Sequence, residues 1–381
     1  MSAESPQQQS DGRDPLADAR FMAAALAFGR RSLGLCAPNP SVGALIVNGG
    51  VVVGRGVTSR GGRPHAEKNA IDQAGAAAVG ATIYVTLEPC FHQGRGPPCA
   101  QTIVAAGLGR VVSAIEDPDI RVAGQGHRAL REAGLDVVVG VGERAARRDH
   151  RGHILRVAQG RPMVTLKLAR TADGYAAGDE YDPRLTITGE AANLRVQMMR
   201  AMHDAIMIGV GTALGDDPLL TVRLPGVEDV KPLRVVLDAH LQLSPRSRLA
   251  ATARDFPTLA ITTDAAPPAR AQALEALGVA VARVAADAQG RVDLASALRA
   301  LGQRGVTRVL SEGGPSVGAA LIAQGLADEV VLFTARKPLG RPGLAALDDS
   351  ALAALEDSTR YAEIEFDRFG ADEMRRLERL D

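Results

Sequence analysis

The sequence predicts an α/β protein of two domains, and three observations support this. The chain has 381 residues, and domains contain on the order of 150 residues each. Apolar, β-branched runs alternate with helical patterns along most of its length, which is typical of α/β folds. The turn-forming sequence Gly160-Arg161-Pro162 interrupts this alternation, and a second series begins after it. We therefore expect a disordered tail at 1–14, domains at 15–148 and 163–381, and a linker at 149–162.

The elements of the first series follow one another in a regular order. An Ala-rich amphipathic helix is expected over 15–35. Two β-branched runs, 42–47 and 51–57, flank Asn48-Gly49-Gly50, which predicts a β-hairpin. The remaining elements are expected to be a helix at 65–78, a strand at 82–87, a helix at 100–106, a strand at 110–115, a helix at 125–133, a strand at 137–141 and a charged helix at 143–158.

The second series contains more strands than the first. Strands are expected at 164–168, 205–208, 233–237, 258–262, 279–284, 307–310 and 330–333. Helices are expected between several of them, at 189–202, 268–277, 294–301 and 316–324. From residue 360 onward the pattern alternates between apolar and polar residues, which predicts two further strands at the edge of the sheet.

The composition argues against several classes of protein. The 44 basic residues balance the 44 acidic ones, so the surface lacks the basic field that binding to nucleic acid or to an acidic membrane needs. The hydrophobic fraction of 46% is sufficient for packed cores. Three cysteines cannot form a paired disulfide framework, and residues 1–14 contain no apolar signal segment. These features indicate a soluble protein of the reducing cytoplasm, with no nucleic-acid or membrane partner.

Three short motifs predict a metal site in the first domain: His65-Ala66-Glu67, Pro89-Cys90 and Pro98-Cys99. One imidazole and two thiolates suit Zn²⁺ and leave a fourth position for water. The glutamate is close enough in sequence to move protons at that water without ligating the metal, as in hydrolytic deaminases. A structural zinc site closed by His92, or a pair of buried cysteines without metal, is the alternative. Cys36 is expected to be a core thiol, and His127, His150, His153, His203 and His240 are expected at the surface or the edge of the core.

The second domain offers weaker signals. Lys167 lies within an apolar strand, where it either points to solvent at the strand end or serves catalysis. Two glycine-containing turns, 209–212 and 311–318, follow predicted strands. Such turns can bring backbone amides to a phosphate at a helix N-terminus, but a tight strand-to-helix connection requires the same glycines.

Several motifs together resemble one family, the bifunctional riboflavin biosynthesis deaminase–reductases. The matching segments are Ala37-Pro38-Asn39-Pro40-Ser41-Val42-Gly43, His65-Ala66-Glu67, the run Thr86-Leu87-Glu88-Pro89-Cys90 through Cys99, and Glu116-Asp117-Pro118. Eight residues separate Cys90 from Cys99. This spacing distinguishes the chain from deaminases of cytidine or of tRNA adenosine, whose typical motif, P-C-x-x-C, has two residues between the cysteines. The resemblance implies a cytidine-deaminase-like zinc domain followed by an NADPH-binding domain like dihydrofolate reductase.

The resemblance also assigns residues to each site. In the first domain it implies that His65, Cys90 and Cys99 bind zinc, that Glu67 carries protons, and that Asn39, His92, Arg95 and Asp117 line the substrate pocket. In the second domain it implies that NADPH is faced by Ala169, Thr186, Thr212, Asp216, Ala239, Gly314, Pro315, Ser316, Val317, Gly318, Ala319 and Ala320. It implies that the ribosyl substrate is faced by Lys167, Arg184, Arg200, Leu220, Arg223 and Glu312, of which Lys167 and Glu312 assist reduction.

The implied reactions are consecutive. Zinc-dependent deamination of 2,5-diamino-6-ribosylamino-4(3H)-pyrimidinone 5′-phosphate is followed by NADPH-dependent reduction of the ribosyl chain to ribityl. The chain departs from the family pattern at two positions. Tyr175 stands where a basic residue is common, and Thr186 stands where a Trp commonly precedes Ile-Thr. The alternative is therefore an active deaminase with a degenerate second domain. A homo-oligomer, dimeric or higher, is expected by analogy with similar reductases.

Overall fold

The computed structural model describes residues 14–93, 96–120, 122–179, 182 and 185–380. It divides the chain into two compact units. The first consists of the chain up to Ser32 together with Asn39–Arg151, and the second of Leu33–Pro38 together with Gly152–Asp381. Of the tail expected at 1–14, all but Asp14 lies outside the described residues; Asp14 caps the first helix by accepting the backbone amides of Leu16 and Ala17.

In the described part of the first unit, five strands form one sheet in the order β2-β1-β3-β4-β5. The strands are β1 (Gly43–Asn48), β2 (Val51–Val57), β3 (Thr82–Val85), β4 (Arg110–Ser113) and β5 (Asp136–Val139). The helices are α1 (Pro15–Gly29), α2 (Ala66–Ala74), α3 (Cys99–Ala105), α4 (Gln125–Glu132) and α5 (Glu143–Asp149). The strands β3, β4 and β5 run parallel, whereas β1 pairs antiparallel with both β2 and β3.

The predicted hairpin is confirmed by the antiparallel pairing of β1 with β2. Gly49 and Gly50 form its turn with φ of +56° and +80°, the backbone region that a tight hairpin turn requires at both central positions and that glycine adopts without strain. Two further glycines of β2, Gly54 and Gly56, let helix α2 pack directly on the hairpin: a Cβ on Gly56 would lie 2.0 Å from the carbonyl oxygen of Ala66. This close approach sets the position of the first turn of α2.

The described part of the second unit contains a nine-stranded sheet in the order β11-β10-β9-β8-β12-β6-β13-β16-β15. Its strands are β6 (Met163–Arg170), β8 (Ala205–Gly209), β9 (Leu233–Leu237), β10 (Thr258–Thr262), β11 (Ala280–Arg283), β12 (Arg308–Ser311), β13 (Glu329–Thr334), β15 (Tyr361–Phe369) and β16 (Asp372–Arg379). The strands up to β13 are parallel, and β16 and β15 are added antiparallel. A separate two-stranded sheet pairs β7 (Tyr175–Ala177) with β14 (Leu344–Ala345).

Helices connect most of these strands. They are α6 (Arg151–Gln159), α7 (Glu190–Ala201), α8 (Val210–Asp216), α9 (Arg248–Ala251), α10 (Pro268–Glu275), α11 (Leu294–Gln303), α12 (Pro315–Ala323) and α13 (Asp349–Glu356). Aliphatic side chains of the parallel strands, including Val164, Leu166, Val309 and Val330, pack with α11 and α12 in the largest apolar cluster. No helix in the described ranges is long and apolar enough to cross a membrane.

Most of the predicted strands and helices are confirmed within one or two residues, and five expectations need correction. The helix expected over 15–35 ends at Gly29 and is followed by a 3₁₀ turn, Arg30–Ser32; Gly34, with a φ of +73°, cannot continue a right-handed helix. The charged helix expected at 143–158 is two helices, α5 and α6, which meet at His150. Of the two C-terminal strands, only β15 is at the edge, because β16 lies between it and β13. The short elements β7, β14, α8, α9 and α13 were not predicted. The histidines expected at the surface or the edge of the core include three that are buried, His127, His150 and His203.

Candidate active sites

The predicted metal ligands of the first unit lie together. The ligand atoms of His65, Cys90 and Cys99 are all within 4.8 Å of one another. His65 precedes the first turn of α2, and its Nδ1 lies 3.3 Å from Sγ of Cys99 and 3.6 Å from Sγ of Cys90. Cys99 begins helix α3, whereas Cys90 lies in an irregular segment after β3. A helical turn therefore opens at only the second of the two Pro-Cys pairs.

Hydrogen bonding within this cluster divides the charge unequally between the two cysteines. The side chain of Cys99, then that of His65 and the backbone amide of Cys99, donate to Cys90 and lower the pKa of its thiol to about 4. The same contact with Cys90, together with burial, raises the pKa of Cys99. The hydrogen bond to Cys90 also raises the pKa of His65. The cluster thus holds one thiolate beside an imidazole.

The donor set fits zinc. One imidazole nitrogen and two sulfurs that converge on one point, with no fourth His, Cys, Asp or Glu in this cluster among the described residues, correspond to a zinc site with an open position rather than a closed structural one. His92, the fourth ligand of the structural alternative, is not part of the cluster.

Glu67 is placed in the first turn of α2 and is 3% exposed. Burial raises the pKa of its carboxyl group, and the negative charge of Cys90 adds to this effect. Its side chain is in hydrogen-bond contact with Cys99. A buried carboxyl group with a raised pKa beside the ligand cluster can both accept and donate a proton there.

Of the other residues assigned to this pocket, Asn39 lies beside the ligand cluster. The Asn39 amide donates to the carbonyl oxygen of Gly62 at 2.8 Å, and its nitrogen lies 3.3 Å from Nε2 of His65. Asp117 is half-buried, and this burial raises the pKa of its carboxyl group. The charge of the exposed His92 lowers the same pKa by a smaller amount. Arg95 lies outside the described residues.

In the second unit, Glu312 follows strand β12 and is the centre of a cluster of basic side chains. Its Oε1 and Oε2 accept from Nε and Nη2 of Arg200 at 2.6 and 2.7 Å. Burial opposes ionisation of Glu312, but the charges of Arg200, Lys167 and Arg223 outweigh it and lower its pKa. Lys167 is half-buried in β6, with its ammonium 6.0 Å from the ring centre of Phe333. Three residues that were assigned from separate parts of the chain thus surround one carboxylate.

The glycine-containing turns of this unit meet each other. The backbone amide of Gly314, at the start of α12, donates to the hydroxyl of Thr212 in α8 at 3.2 Å. A Cβ on Gly209 or Gly313 would lie 3.0 or 2.9 Å from the side chain of Val317. Close packing of α12 therefore explains Gly209 and Gly313 whether or not a phosphate binds at its N-terminus, whereas a Cβ on Gly211 would meet nothing within 4 Å.

The remaining assigned residues differ in their position and burial. Ala169 is half-buried near the end of β6, and Ala239 is half-buried two residues after β9. Thr186, Asp216 and Arg223 are exposed. The buried Leu220 has a φ of +51°, and the next carbonyl oxygen, that of Thr221, accepts from Arg200 at 3.0 Å. Arg184 lies outside the described residues.

Sequence analysis missed one polar residue near the first site. Glu88 is 5% exposed and accepts hydrogen bonds from four backbone amides. A glutamate directly after a buried strand and directly before Pro-Cys was the available signal, since a buried carboxylate needs several donors.

Comparisons with known proteins agree with both sites. Residues 16–115 match the family described as the cytidine and deoxycytidylate deaminase zinc-binding region, and residues 162–367 match the RibD C-terminal domain. The riboflavin biosynthesis protein RibD of Aquifex aeolicus is 36% identical over 93% of this chain and 96% of its own length. The RibD protein of Escherichia coli is 34% identical over 93% and 97%, respectively.

Solved structures extend the similarity to the whole fold. Acinetobacter baumannii RibD matches with a TM-score of 0.84 and 32% identity, covering 97% of this chain and 100% of that one. A Thermotoga maritima protein described as a diaminohydroxyphosphoribosylaminopyrimidine deaminase/5-amino-6-(5-phosphoribosylamino)uracil reductase matches with a TM-score of 0.81 and 30% identity, covering 96% and 99%. The chain therefore belongs to the RibD family, the bifunctional deaminase–reductases of riboflavin biosynthesis.

Proposed function

We propose that the first unit deaminates 2,5-diamino-6-ribosylamino-4(3H)-pyrimidinone 5′-phosphate and that the second reduces the ribosyl chain of the product with NADPH. The observation that carries the first half is the convergence of His65, Cys90 and Cys99 beside the buried Glu67. The convergence of Lys167 and Arg200 on Glu312 supports the second half. The names of the relatives supply the substrate class.

In the deaminase site, His65, Cys90 and Cys99 would hold zinc, which when bound supplies Lewis-acid activation of the attacking water. Glu67 accepts the proton that this water loses and delivers it to the amino nitrogen that leaves from C2 of the pyrimidine. Burial supports both steps, because it brings the pKa of Glu67 nearer to neutrality. Asn39, His92, Arg95 and Asp117 would contact the pyrimidine and the phosphate.

In the reductase site, NADPH when bound supplies the hydride that is delivered to C1′ of the open-chain imine. The chain must supply a proton to the imine nitrogen, and Lys167 is the acid we assign to this step. Glu312 stays ionised because Arg200 holds both of its oxygens, so it contributes a fixed negative charge close to Lys167.

The remaining reductase residues would bind the two ligands of that site. The turn at the start of α12 (Gly314–Ala320), with Ala169, Thr186, Thr212, Asp216 and Ala239, would bind NADPH. Arg184, Leu220 and Arg223 would face the ribosyl substrate. Arg200 uses its guanidinium to bind Glu312 and the carbonyl oxygen of Thr221, so we assign it to positioning Glu312.

One assay tests both halves. Zinc-loaded protein is given the diaminopyrimidinone substrate and NADPH, and ammonia and NADPH are followed together. We expect ammonia release accompanied by an equal loss of NADPH. Ammonia release without NADPH loss would identify a degenerate second domain, in which the changes at Tyr175 and Thr186 have abolished reduction. Absence of both signals would overturn the proposal.

A further inference from the structure

Glu88 is a buried carboxylate that the proposed mechanism does not use. It follows strand β3 and precedes the ligand Cys90 by two residues. Its Oε2 accepts the backbone amides of Asp117 at 3.0 Å and Gly124 at 2.9 Å. Its Oε1 accepts those of Gly126 at 2.8 Å and His127 at 3.3 Å. Nδ1 of the buried His127 lies 3.9 Å from Oε2, and the four amide donors satisfy both carboxylate oxygens of Glu88.

The four amides lie in two places, the first turn of α4 and the loop that precedes it. Gly126 and His127 are in the first turn of α4, whose preceding residue, Gly124, has no side chain that could cap the helix. Glu88 therefore provides the cap from a distant part of the chain, where a negative charge is also favoured by the helix dipole. The other two amides, those of Asp117 and Gly124, belong to the loop between β4 and α4.

The start of α4 is in close steric contact with the segment that contains Glu88 and Pro89. A Cβ on Gly126 would lie 2.0 Å from the carbonyl oxygen of Pro89 and 3.2 Å from the side chain of Glu88. The start of α4 thus packs directly on the segment that leads into Cys90. The loop itself is organised further by Asp117, whose side chain accepts the amide of Asp119 at 2.9 Å.

We propose that Glu88 is a positioning residue for the deaminase substrate: it holds the loop that carries Asp117 in a defined place relative to the ligand Cys90. This inference rests on the proposed function, in which Asp117 contacts the substrate. The arrangement requires an acceptor at both oxygen positions, because each oxygen accepts two amides and a glutamine would turn an NH₂ group toward two of the four. Loss of Glu88 should therefore weaken substrate binding more than the chemical step.

The test is Glu88→Gln in the full-length, zinc-loaded protein, with Glu132→Gln on the exposed part of α4 as the matched control. For ammonia release we expect KM to rise about tenfold or more, the factor that corresponds to roughly one lost charge-assisted hydrogen bond, with kcat within about threefold of wild type. The zinc content should stay at the wild-type value. Hydrogen exchange should become faster in the peptide that contains residues 117–127, and Glu132→Gln should change none of these quantities.

A wild-type KM for Glu88→Gln would overturn the inference, and so would a loss of kcat and zinc at unchanged KM, which would make Glu88 a support of Cys90 alone. If Glu88→Gln does not fold, Glu88→Asp, which keeps the charge but withdraws it by one methylene, is judged by the same criteria. Asp117→Asn distinguishes the proposed contact of Asp117 with the substrate from the positioning role of Glu88. An unchanged KM in that variant would refute the placement of Asp117 in the pocket, whereas a raised KM there with a normal one in Glu88→Gln would refute the role of Glu88 alone.

Discussion

At the scale of single residues, the chemistry of the first unit depends on the buried carboxyl group of Glu67. We expect Glu67→Gln to lower the rate of ammonia release about a hundred- to ten-thousandfold, the usual contribution of a general acid–base group. The amide has nearly the same shape, so zinc should remain bound. Metal analysis and an ammonia assay check this, with Asp72→Asn as the control because Asp72 is an exposed residue of the same helix. Full deamination by Glu67→Gln would contradict the assigned role.

Arg200 offers the corresponding test in the second unit. Arg200→Lys keeps the positive charge but cannot bind both oxygens of Glu312 and the Thr221 carbonyl at once. We expect NADPH oxidation to fall at least about tenfold, a cost of roughly 1.4 kcal/mol, while ammonia release is unchanged. The control is Arg195→Lys on the same helix. Arg195 makes a long ion pair of 3.9 Å with Glu365, and both side chains are partly exposed, so this pair contributes little free energy. If Arg200→Lys and Arg195→Lys oxidise NADPH at equal rates, Arg200 does not position Glu312.

His203 makes the stability of the second unit depend on pH. Its Nδ1 donates to the carbonyl oxygen of Met199 at 2.6 Å, and its Nε2 lies 3.0 Å from the hydroxyl of Thr165, which itself donates to Oε1 of Glu329. Burial lowers the pKa of His203 to about 4. The unfolded chain binds a proton near pH 6.5, so the free energy of unfolding should fall as the pH drops from 6.5 to 4, by about 3 kcal/mol in total.

Urea titrations of wild type and His203→Asn from pH 7 to pH 4 measure this dependence. Asparagine does not titrate, so the stability difference between the two proteins should shrink as the solution becomes more acidic. Groups that titrate in both proteins, including the nearby Glu329, largely cancel in this difference. A difference that stays constant over the whole range would show that His203 is protonated in the folded state.

Sequence reasoning identified residues well where a short motif carries the chemistry and less well where a partner is distant in sequence. His65, Glu67, Cys90 and Cys99 were found because their types and spacing are characteristic of zinc deaminases. Glu88 was missed because its partners are backbone amides 29 to 39 positions away. The bond between Arg200 and Glu312 spans 112 positions, and their residue types alone do not indicate it.

At the scale of elements, the position of Glu67 depends on how closely α2 packs on β2. A Cβ on Gly56 would meet the carbonyl oxygen of Ala66 at 2.0 Å and the amide nitrogen of Ala70 at 2.6 Å. Gly56→Ala must therefore push the helix away from the sheet, which should cost about 2 kcal/mol of unfolding free energy and reduce ammonia release by displacing Glu67. Val52→Ala, at an exposed position of the same strand, should cost about 0.5 kcal/mol or less. Similar urea midpoints for the two variants would contradict this packing argument.

Elements were predictable where periodicity and turn chemistry extend over enough residues. The hairpin of β1 and β2 was predicted with nearly correct limits because Asn48-Gly49-Gly50 separates two apolar runs. The strands β7 and β14 contain three and two residues, which is too short for a pattern, and they form through pairing with each other. The order of β13, β16 and β15 was not predictable, because alternation within a strand does not reveal its neighbours.

At the scale of the whole molecule, the residues that we propose as the two catalytic sets belong to separate compact units. His65, Cys90, Cys99 and Glu67 all lie in the first, and each is placed by the β1-β2 hairpin, β3 or a helix of that unit. Lys167, Arg200 and Glu312 lie in the second, on the parallel strands and on α7. The fold thus allows either site to be disabled without altering the elements that build the other.

Removal of zinc tests this separation. Treatment with a chelator should abolish ammonia release and lower the stability of the first unit, because a metal that binds only the folded state adds its binding free energy to folding. All three ligands of the cluster lie in the first unit, and none of the described residues of the second unit joins them. NADPH oxidation with substrate that has already been deaminated should therefore remain within about twofold of the zinc-loaded rate, a difference of roughly 0.4 kcal/mol in the barrier. Hydrogen exchange should likewise become faster in β3 and α3 but not in β6 or β12, and added zinc should restore both properties of the first unit. A parallel loss of NADPH oxidation would mean that the second site depends on the metal-bound form of the first.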